Sequence, residues 1–331
     1  MKQFKKLYLL LLLCVISFVS VNAQNATDDI VVQPKTKEEL KEIIKDSFTL
    51  GIYNLNFIDV SKITDMSGLF YNSHSYYGIQ HNFDVSNWNV SNVTNMNHMF
   101  YDCENFNCDL SKWDVSKVEN MCNMFGNCKK FEGKGLEHWN VSKVTNMDNM
   151  FSWCYNFDCD LSCWDVSNVT DMSSMFDKCI GFVGEGLENW NTSKVTDMGF
   201  MFSNCQYFNC DLSNWDVSNV KAMLWMFSGC KDFEGKGLEN WDVSNVEITK
   251  QMFYNCAKFN CDLSKWNISK VVMMEYMFYG CNNFEGKGLE NWDVSNVTDM
   301  ENNVFGFYTK FNKEEILLKW LKLKYKKQNE H

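Results

Sequence analysis

Fifteen cysteines are the first candidates for chemistry in this chain of 331 residues. Eight fall at one recurring position, Cys103, Cys128, Cys154, Cys179, Cys205, Cys230, Cys256 and Cys281. Four more, Cys108, Cys159, Cys210 and Cys261, follow every second member of that series by five residues. Cys122 and Cys163 stand outside both columns, and Cys14 lies in an apolar amino-terminal run. Structural metal sites need Cys-x-x-Cys pairs or nearby histidine. Here the spacing is Cys-x4-Cys and the five histidines are scattered, so no metal is expected. In an oxidising compartment the pairs 103–108, 154–159, 205–210 and 256–261 would be the local disulfides. The other reading is a column of buried thiols acting as small apolar side chains. It is the stronger one, because the first column also carries Cys in repeats that have no second cysteine.

Gly133-Lys134-Gly135 and its copies at 184–186, 235–237 and 286–288 superficially resemble a phosphate loop. No Ser or Thr follows a Gly-Lys pair and no helix signal opens behind it, so the glycines are expected to form a bulge where the chain turns. Sequons such as Asn89-Val90-Ser91 and Asn140-Val141-Ser142 are products of the repetition. Catalysis needs an irregular constellation of nucleophile, base and orienting group. Every conspicuous polar residue here recurs from repeat to repeat, so the sequence predicts no enzyme and no cofactor.

The elements that position these residues are repeats. Tryptophan recurs at 88, 113, 139, 164, 190, 215, 241, 266 and 292, at alternating intervals of 25 and 26 residues. Numbering from each Trp, a Val or similar residue stands at +5 and Met at +8, except where Ile248 shifts the match by one residue. In eight of the nine frames Met-Phe follows at +11 and +12, Cys at +15 and Phe at +18. A degenerate frame opens the array at Ile58-Asp59-Val60-Ser61, with Met66 and Leu69-Phe70 in place. The two lengths alternate as types, one ending Phe106-Asn107-Cys108-Asp109-Leu110-Ser111, the other ending Phe131 to Glu137 with the extra residue taken up by glycines. A unit of this length cannot bury its apolar face alone, whereas stacked units share a continuous core.

The expected fold is therefore a repeat solenoid, leucine-rich-repeat-like, of about ten coils spanning 51–307. Leu-x-x-Trp-x-Val, as in Leu110, Trp113 and Val115, predicts a short parallel strand with these residues inward and positions −1, +1 and +3 outward. The +5 and +8 residues fit a second short extended or turn segment. Met-Phe-x-x-Cys-x-x-Phe has helical-turn spacing, placing turns and short helical segments opposite the strands.

The run Val169-Thr170-Asp171-Met172-Ser173-Ser174-Met175-Phe176-Asp177-Lys178-Cys179 and its copies resemble the BspA-like leucine-rich-repeat surface proteins of bacteria, found also in some protists. The likeness is to their Trp-Asp-Val-Ser-Asn-Val-Thr-Asp-Met-rich branch, a mycoplasma-type surface repeat of unknown function, and it covers roughly residues 35–306. It implies a surface protein, and attachment to host proteins as some members show. The chain departs from the better-known leucine-rich repeat at +5, where Val93, Val118 and Val144 replace Asn, so no buried Asn ladder is carried over.

Both ends of a stack need covers. Within 24–50, Thr36-Lys37-Glu38-Glu39 is a capping-box pattern and Leu40, Ile43, Ile44 and Phe48 share one helical face. Within 308–331, Glu314 to Lys327 gathers Ile316, Leu317, Trp320 and Leu321 on a helix with Lys elsewhere. It reads as a terminal cap, or as a basic amphipathic segment touching anionic lipid, the one segment from which membrane contact is expected. Residues 1–23 read as a signal peptide: Lys2, Lys5 and Lys6 precede the apolar run Leu7–Val21, and Val21-Asn22-Ala23 offers a cleavage site. Cys14 is the alternative, a lipid anchor. The protein is thus expected to be secreted or at the cell surface. Its formal charge is −11 and every basic residue is Lys. That balance argues against nucleic acid, whose phosphates need the opposite sign.

The expected role is recognition of, or adhesion to, an extracellular protein or glycan. Position +1 should project from the concave strand face: Asn89, Asp114, Asn140, Asp165, Asn191, Asp216, Asp242, Asn267 and Asp293. Asn and Asp alternate there except at 216–242, which limits repulsion between neighbours. The alternative role is a structural or antigenic surface component. Variation at −1 (Lys112, His138, Cys163, Asn189) favours recognition, whereas Ser at +3 in every frame favours structure.

Overall fold

The computed structural model describes residues 31–71, 81–298, 304–306 and 310–328. The signal-peptide expectation for 1–23 lies outside them. Among the described residues two α-helices bracket the repeats, α1 at Lys37–Thr49 and α2 at Lys313–Gln328. In α1, Thr36 Oγ1 accepts a hydrogen bond from the Glu39 amide at 3.2 Å, and Glu39 Oε2 accepts from the Lys35 amide at 2.8 Å. This is the capping box with its return arm one residue early. Leu40, Ile43, Ile44 and Phe48 are buried, as their spacing predicts.

Between the helices each 25- or 26-residue repeat is one coil lying on the next. The core columns are uniform. The side chains of Trp, Val (+5), Met (+11), Phe (+12), Cys (+15) and Phe (+18) are buried in coil after coil, and Phe rings at +12 stack at 5.4–5.8 Å from Phe70 to Phe278. Each Trp also carries a polar group inward, and its Nε1–H donates to a carbonyl of the preceding coil. Trp139 donates to Leu110 O at 3.3 Å, Trp164 to Leu136 O at 2.9 Å and Trp215 to Leu187 O at 2.8 Å. A buried indole N–H requires such a partner. The column thus fixes register as well as burying area.

The strand expectation is corrected in place and in kind. Among the described residues the parallel pairing along the array is not at Leu-x-x-Trp-x-Val, which bridges only at the front, Val32 with Ile58 and Asn54 with Asp84. It is a chain of single parallel bridges at +7: Asn95 with Asn120, then Asn146, Asp171, Asp197, Ala222, Ile248 and Met273. From there the amides at +8, +10, +12 and +14 all donate forward to the next coil. Met147, Asn149, Phe151 and Trp153 reach the carbonyls of Asp171, Ser173, Met175 and Asp177 at 2.7–3.1 Å. The intervening amides close local i→i−3 turns, as Met150 to Met147 O and Cys154 to Phe151 O. A regular strand is impossible because +10 and +14 adopt positive φ, 55° at Asn149 and 65° at Trp153. A regular helix is impossible for the same reason, so the helical-turn spacing of Met-Phe-x-x-Cys marks this turning ladder instead.

One reading of register is also corrected. Thr249, not Ile248, occupies the +8 core position, where it is 2 % exposed and donates its amide to Met273 O at 2.8 Å. Ile248 keeps the +7 bridge. The ladder's hydrogen bonds hold register even when the core residue changes from Met to Thr.

α2 closes the stack by supplying the next Trp. Trp320 is fully buried, its ring lies 6.1 Å from Trp292 at 2° between planes, and its Nε1–H donates to Leu289 O at 2.8 Å. Ile316 and Leu317 pack partly against the core, while Leu321 is 42 % exposed and leaves the expected inward set. Trp320 alone anchors deeply. No helix among the described residues is long and apolar enough to cross a membrane.

Candidate recognition surface

The cysteines are free thiols among the described residues. In the first column each Sγ–H donates to the +12 Phe carbonyl of the preceding coil: Cys128 to Phe100 O at 3.1 Å, Cys205 to Phe176 O at 3.0 Å, Cys256 to Phe227 O at 2.9 Å. Burial pushes these thiols well above their ordinary range. In the second column burial raises Cys108, Cys159, Cys210 and Cys261 to about 12. Neither column offers a thiolate for nucleophilic work. No group of three or more His, Cys, Asp or Glu among the described residues could hold a metal ion.

The Gly-Lys-Gly segments are close-packed turns. Gly135 has φ +90°, and a Cβ there would lie 2.2 Å from the backbone nitrogen of Ser111 in the preceding coil. The intervening Lys pairs with the Asp before Leu in that coil: Lys134 with Asp109 at 3.2 Å, Lys236 with Asp211 at 2.7 Å.

The nine +1 residues are outward, all exposed except the half-buried Asp293. Each also holds its own backbone. Its Oδ1 accepts from the amide of the Ser two residues on, 3.0 Å from Asp114 to Ser116, 3.1 Å from Asn140 to Ser142, 3.0 Å from Asp165 to Ser167, and likewise from Asn89, Asn191, Asp216, Asp242, Asn267 and Asp293. These are Asx turns, which Asn and Asp make equally well. The turn explains both the Asn/Asp interchange at +1 and the Ser at +3. The same turn recurs before Leu (Asp160 to Ser162 N, 2.8 Å) and at +7 (Asn146 to Asp148 N, 2.9 Å).

A second outward surface was not singled out by the sequence reading. On the ladder, +10 and +14 face away from the core and +8, +11 and +12 fill it, while +9 and +13 lie between, half-buried at Tyr101, Tyr254 and Tyr279 and buried at Ser152, Ser203 and Ser228. Along +10 the residues are His98, Asn123, Asn149, Ser174, Phe200, Trp225, Gln251 and Tyr276; along +13 they run from Tyr101 through Gly126 and Ser152 to Tyr254 and Tyr279. Two aromatic groups result. Tyr71 stacks on Tyr101 at 5.3 Å near the front, and Phe200 on Trp225 at 5.7 Å, with Tyr254 on Tyr279 at 5.2 Å, toward the rear. Phe200, Trp225 and Tyr276 sit at φ 58°, 58° and 55°, a conformation bulky residues rarely adopt. Such outliers persist where the surroundings impose them and cluster at functional sites. The signal was present in sequence as column-by-column variation, but the inward and outward columns of this segment could not be told apart while it read as helical.

A family model described as Mycoplasma protein of unknown function, DUF285, matches residues 38–152, 127–237, 179–288 and 222–328. The chain belongs to this family. Its four overlapping matches run across the coils and both helices, and the DUF285 chain is a repeat protein. No curated protein and no solved structure matches it.

Proposed function

We propose that the protein is secreted or displayed at the cell surface, with residues 1–23 as a cleaved signal, and that it recognises an extracellular protein or glycan. In this reading the coils form a solenoid of the leucine-rich-repeat-like, BspA-like kind, and the variable ladder surface is its recognition face. One observation carries it: on a frame whose core columns are nearly invariant, +9, +10, +13 and +14 differ from coil to coil and bear half-exposed aromatics, including bulky residues in left-handed backbone. A purely structural repeat has no reason to place Trp225 or Phe200 there, where Asn or Gly is conformationally easier. Aromatic anchors dominate tight interfaces. The +1 column of Asn and Asp is a second, polar surface whose contribution is weaker and multivalent.

The test is adhesion of the purified chain from residue 24 onward to host cells and extracellular matrix. Replacing Phe200, Trp225 and Tyr276 by Asn, the residue standing at 123 and 149 in the same column, should reduce adhesion at least tenfold while the fold persists. Unchanged adhesion would refute the ladder face. If changing Asp114, Asp165, Asp216 and Asp293 together to Asn abolishes it instead, the +1 column is the binding surface.

A further inference from the structure

The ladder face contains one cavity with the composition of a ligand site. It measures about 370 Å³, within the range of small-molecule pockets, and opens between Tyr101 and Trp153. The repeat itself explains how it is made. Tyr101, Gly126 and Ser152 occupy +13 in three successive coils, so the aromatic ring of the first faces a missing side chain and then a small one. The Tyr101 ring lies over Gly126 so closely that a Cβ there would be 2.8 Å from Cδ2. Trp153, at +14 of the third of these coils, forms the far wall and is 40 % exposed, unlike the buried core tryptophans.

The groups between the two aromatic walls are neutral hydrogen-bonding groups. Asn123 and Asn149 contribute amides from +10, Asn127 from +14 and Ser152 a hydroxyl. An amide offers both donor and acceptor, as a hydroxyl does. The cations nearby are engaged: Lys129 pairs with Glu104 at 2.7 Å, and Lys178 of the following coil lies over the Trp153 ring, 3.3 Å from its centroid, on no part of the cavity wall. Asn127 donates from Nδ2 to Asp102, but its Oδ1 is closed off from water with no donor partner. An unpaired buried acceptor is costly. A ligand hydroxyl that draws this amide round toward the cavity relieves that cost.

We propose that this cavity binds a neutral saccharide unit, its hydroxyls on the three Asn amides and Ser152, and its C–H faces on Tyr101 and Trp153. Aromatic faces carry the negative end of the ring quadrupole and attract C–H edges. An ionic ligand is disfavoured, since no charged group lining the cavity is unpaired. The site rests on the recognition reading above and names its ligand class.

The repeat supplies the variants from residues the same columns already hold, and a Cβ at 126 meets side-chain atoms of Tyr101 and Asn123 rather than backbone, so it displaces the Tyr101 ring and leaves the ladder in place. Trp153→Asn places the residue of 204 and 255, Asn127→Gly that of 229 and 280, and Gly126→Ser that of 203 and 228. The probe is an array of neutral mono- to tetrasaccharides of glucose, galactose, mannose and their N-acetylated amines, read with the labelled chain. Hits are then titrated by isothermal calorimetry, a readout that survives the loss of Trp153. The expected result is binding to at least one structure, weakened at least tenfold in each variant and little changed by salt. Tyr325→Asn, on the exposed side of α2 and outside the ladder face, should leave it unchanged. No binding to any neutral saccharide, or binding equal in all variants, overturns the proposal. Binding confined to acidic sugars or to acidic peptides also overturns it, as does loss of affinity at high salt. Host-cell adhesion that survives Trp153→Asn and Gly126→Ser while falling in the rear-cluster variant leaves the recognition reading standing and removes only this site.

Discussion

Trp320 is where the closing helix stands or falls. Its ring is fully buried on Trp292 and its indole N–H reaches Leu289 O, whereas its neighbours Ile316 and Leu317 are only partly covered and Leu318, Leu321 and Tyr325 point outward. Truncating a buried Trp to Ala costs about 3–5 kcal/mol. Among the described residues the polar ties of α2 to the coils include Lys324 Nζ donating to Val297 O and Lys313 Nζ donating to Gly306 O, and hydrogen bonds to charged groups are worth about 1.5–3 kcal/mol each. A helix of 16 residues is marginal by itself in water. Trp320→Ala should therefore undock and melt α2, exposing Trp292. Trp320→Phe keeps the stacking and loses one hydrogen bond, at about 0.5–1.5 kcal/mol; Leu289 O retains the Trp292 amide at 3.2 Å. Hydrogen exchange read by mass spectrometry on peptides covering 289–298 and 313–328 separates the cases. Alanine should bring exchange in 313–328 close to the unfolded rate and loosen 289–298, Phe should accelerate it modestly, and coils before Trp241 should be unaffected because a repeat touches only its neighbours. If the alanine variant exchanges like the parent, α2 is not held by the Trp column and the capping argument is wrong.

Native alkylation should label Cys163 first and Cys122 more slowly, leaving both columns untouched until unfolding. A thiol raised to about 12 from an ordinary 9 presents about 1,000-fold less thiolate at a given pH, before burial is counted. Rapid labelling of Cys159, or a crosslinked 154–159 peptide in a non-reducing digest, contradicts this. Gly186→Ala should destabilise by well over the ~1 kcal/mol of an ordinary glycine exchange, because its φ is +86° and the new methyl would lie 2.3 Å from Ser162 N; a chemical denaturation midpoint equal to the parent's refutes the close packing. Asp165→Asn should be nearly neutral and Asp165→Ala should cost about 0.5–1.5 kcal/mol through the lost Asx turn, measured the same way. Asp211 and Asp262 are held at about 2, first by the hydrogen bonds of Lys236 and Lys287. A depressed carboxyl stabilises the fold above its unfolded value near 4 and loses that contribution as pH falls toward about 2. The melting-temperature gap between parent and the Asp211→Asn, Asp262→Asn double variant should accordingly be open at about pH 6 and close by about pH 2; a gap constant with pH removes the ion pairs from the account.

The sequence alone determined the stack. Nine tryptophans at alternating intervals fix the coil, and alternation of burial around each of them names Leu110, Trp113 and Val115 as core without any structure. It also determined α1, since Thr36 with Glu39 and the Leu40–Ile43–Ile44–Phe48 stripe are local signals that need no partner to be read. What only the tertiary structure decided is how one coil holds the next. The ladder is made by amides at +8 to +14 donating to a chain segment 24 or 25 residues away, and such pairing leaves no period-2 mark in the sequence because left-handed residues at +10 and +14 break the alternation. The thiol column is the buried small-side-chain filling its spacing predicts, and the structure adds that each thiol donates to a carbonyl of another coil. The Asx turns by which the exposed +1 Asn and Asp hold the Ser amides two residues on became visible only with the backbone in place. The cavity at Tyr101 and Trp153 lies 52 residues apart in sequence and exists only because stacking sets Gly126 and Ser152 between them. Local capping and burial periodicity are written within one coil; register, partner and hollow are properties of two or three coils at once, and only packing brings those together.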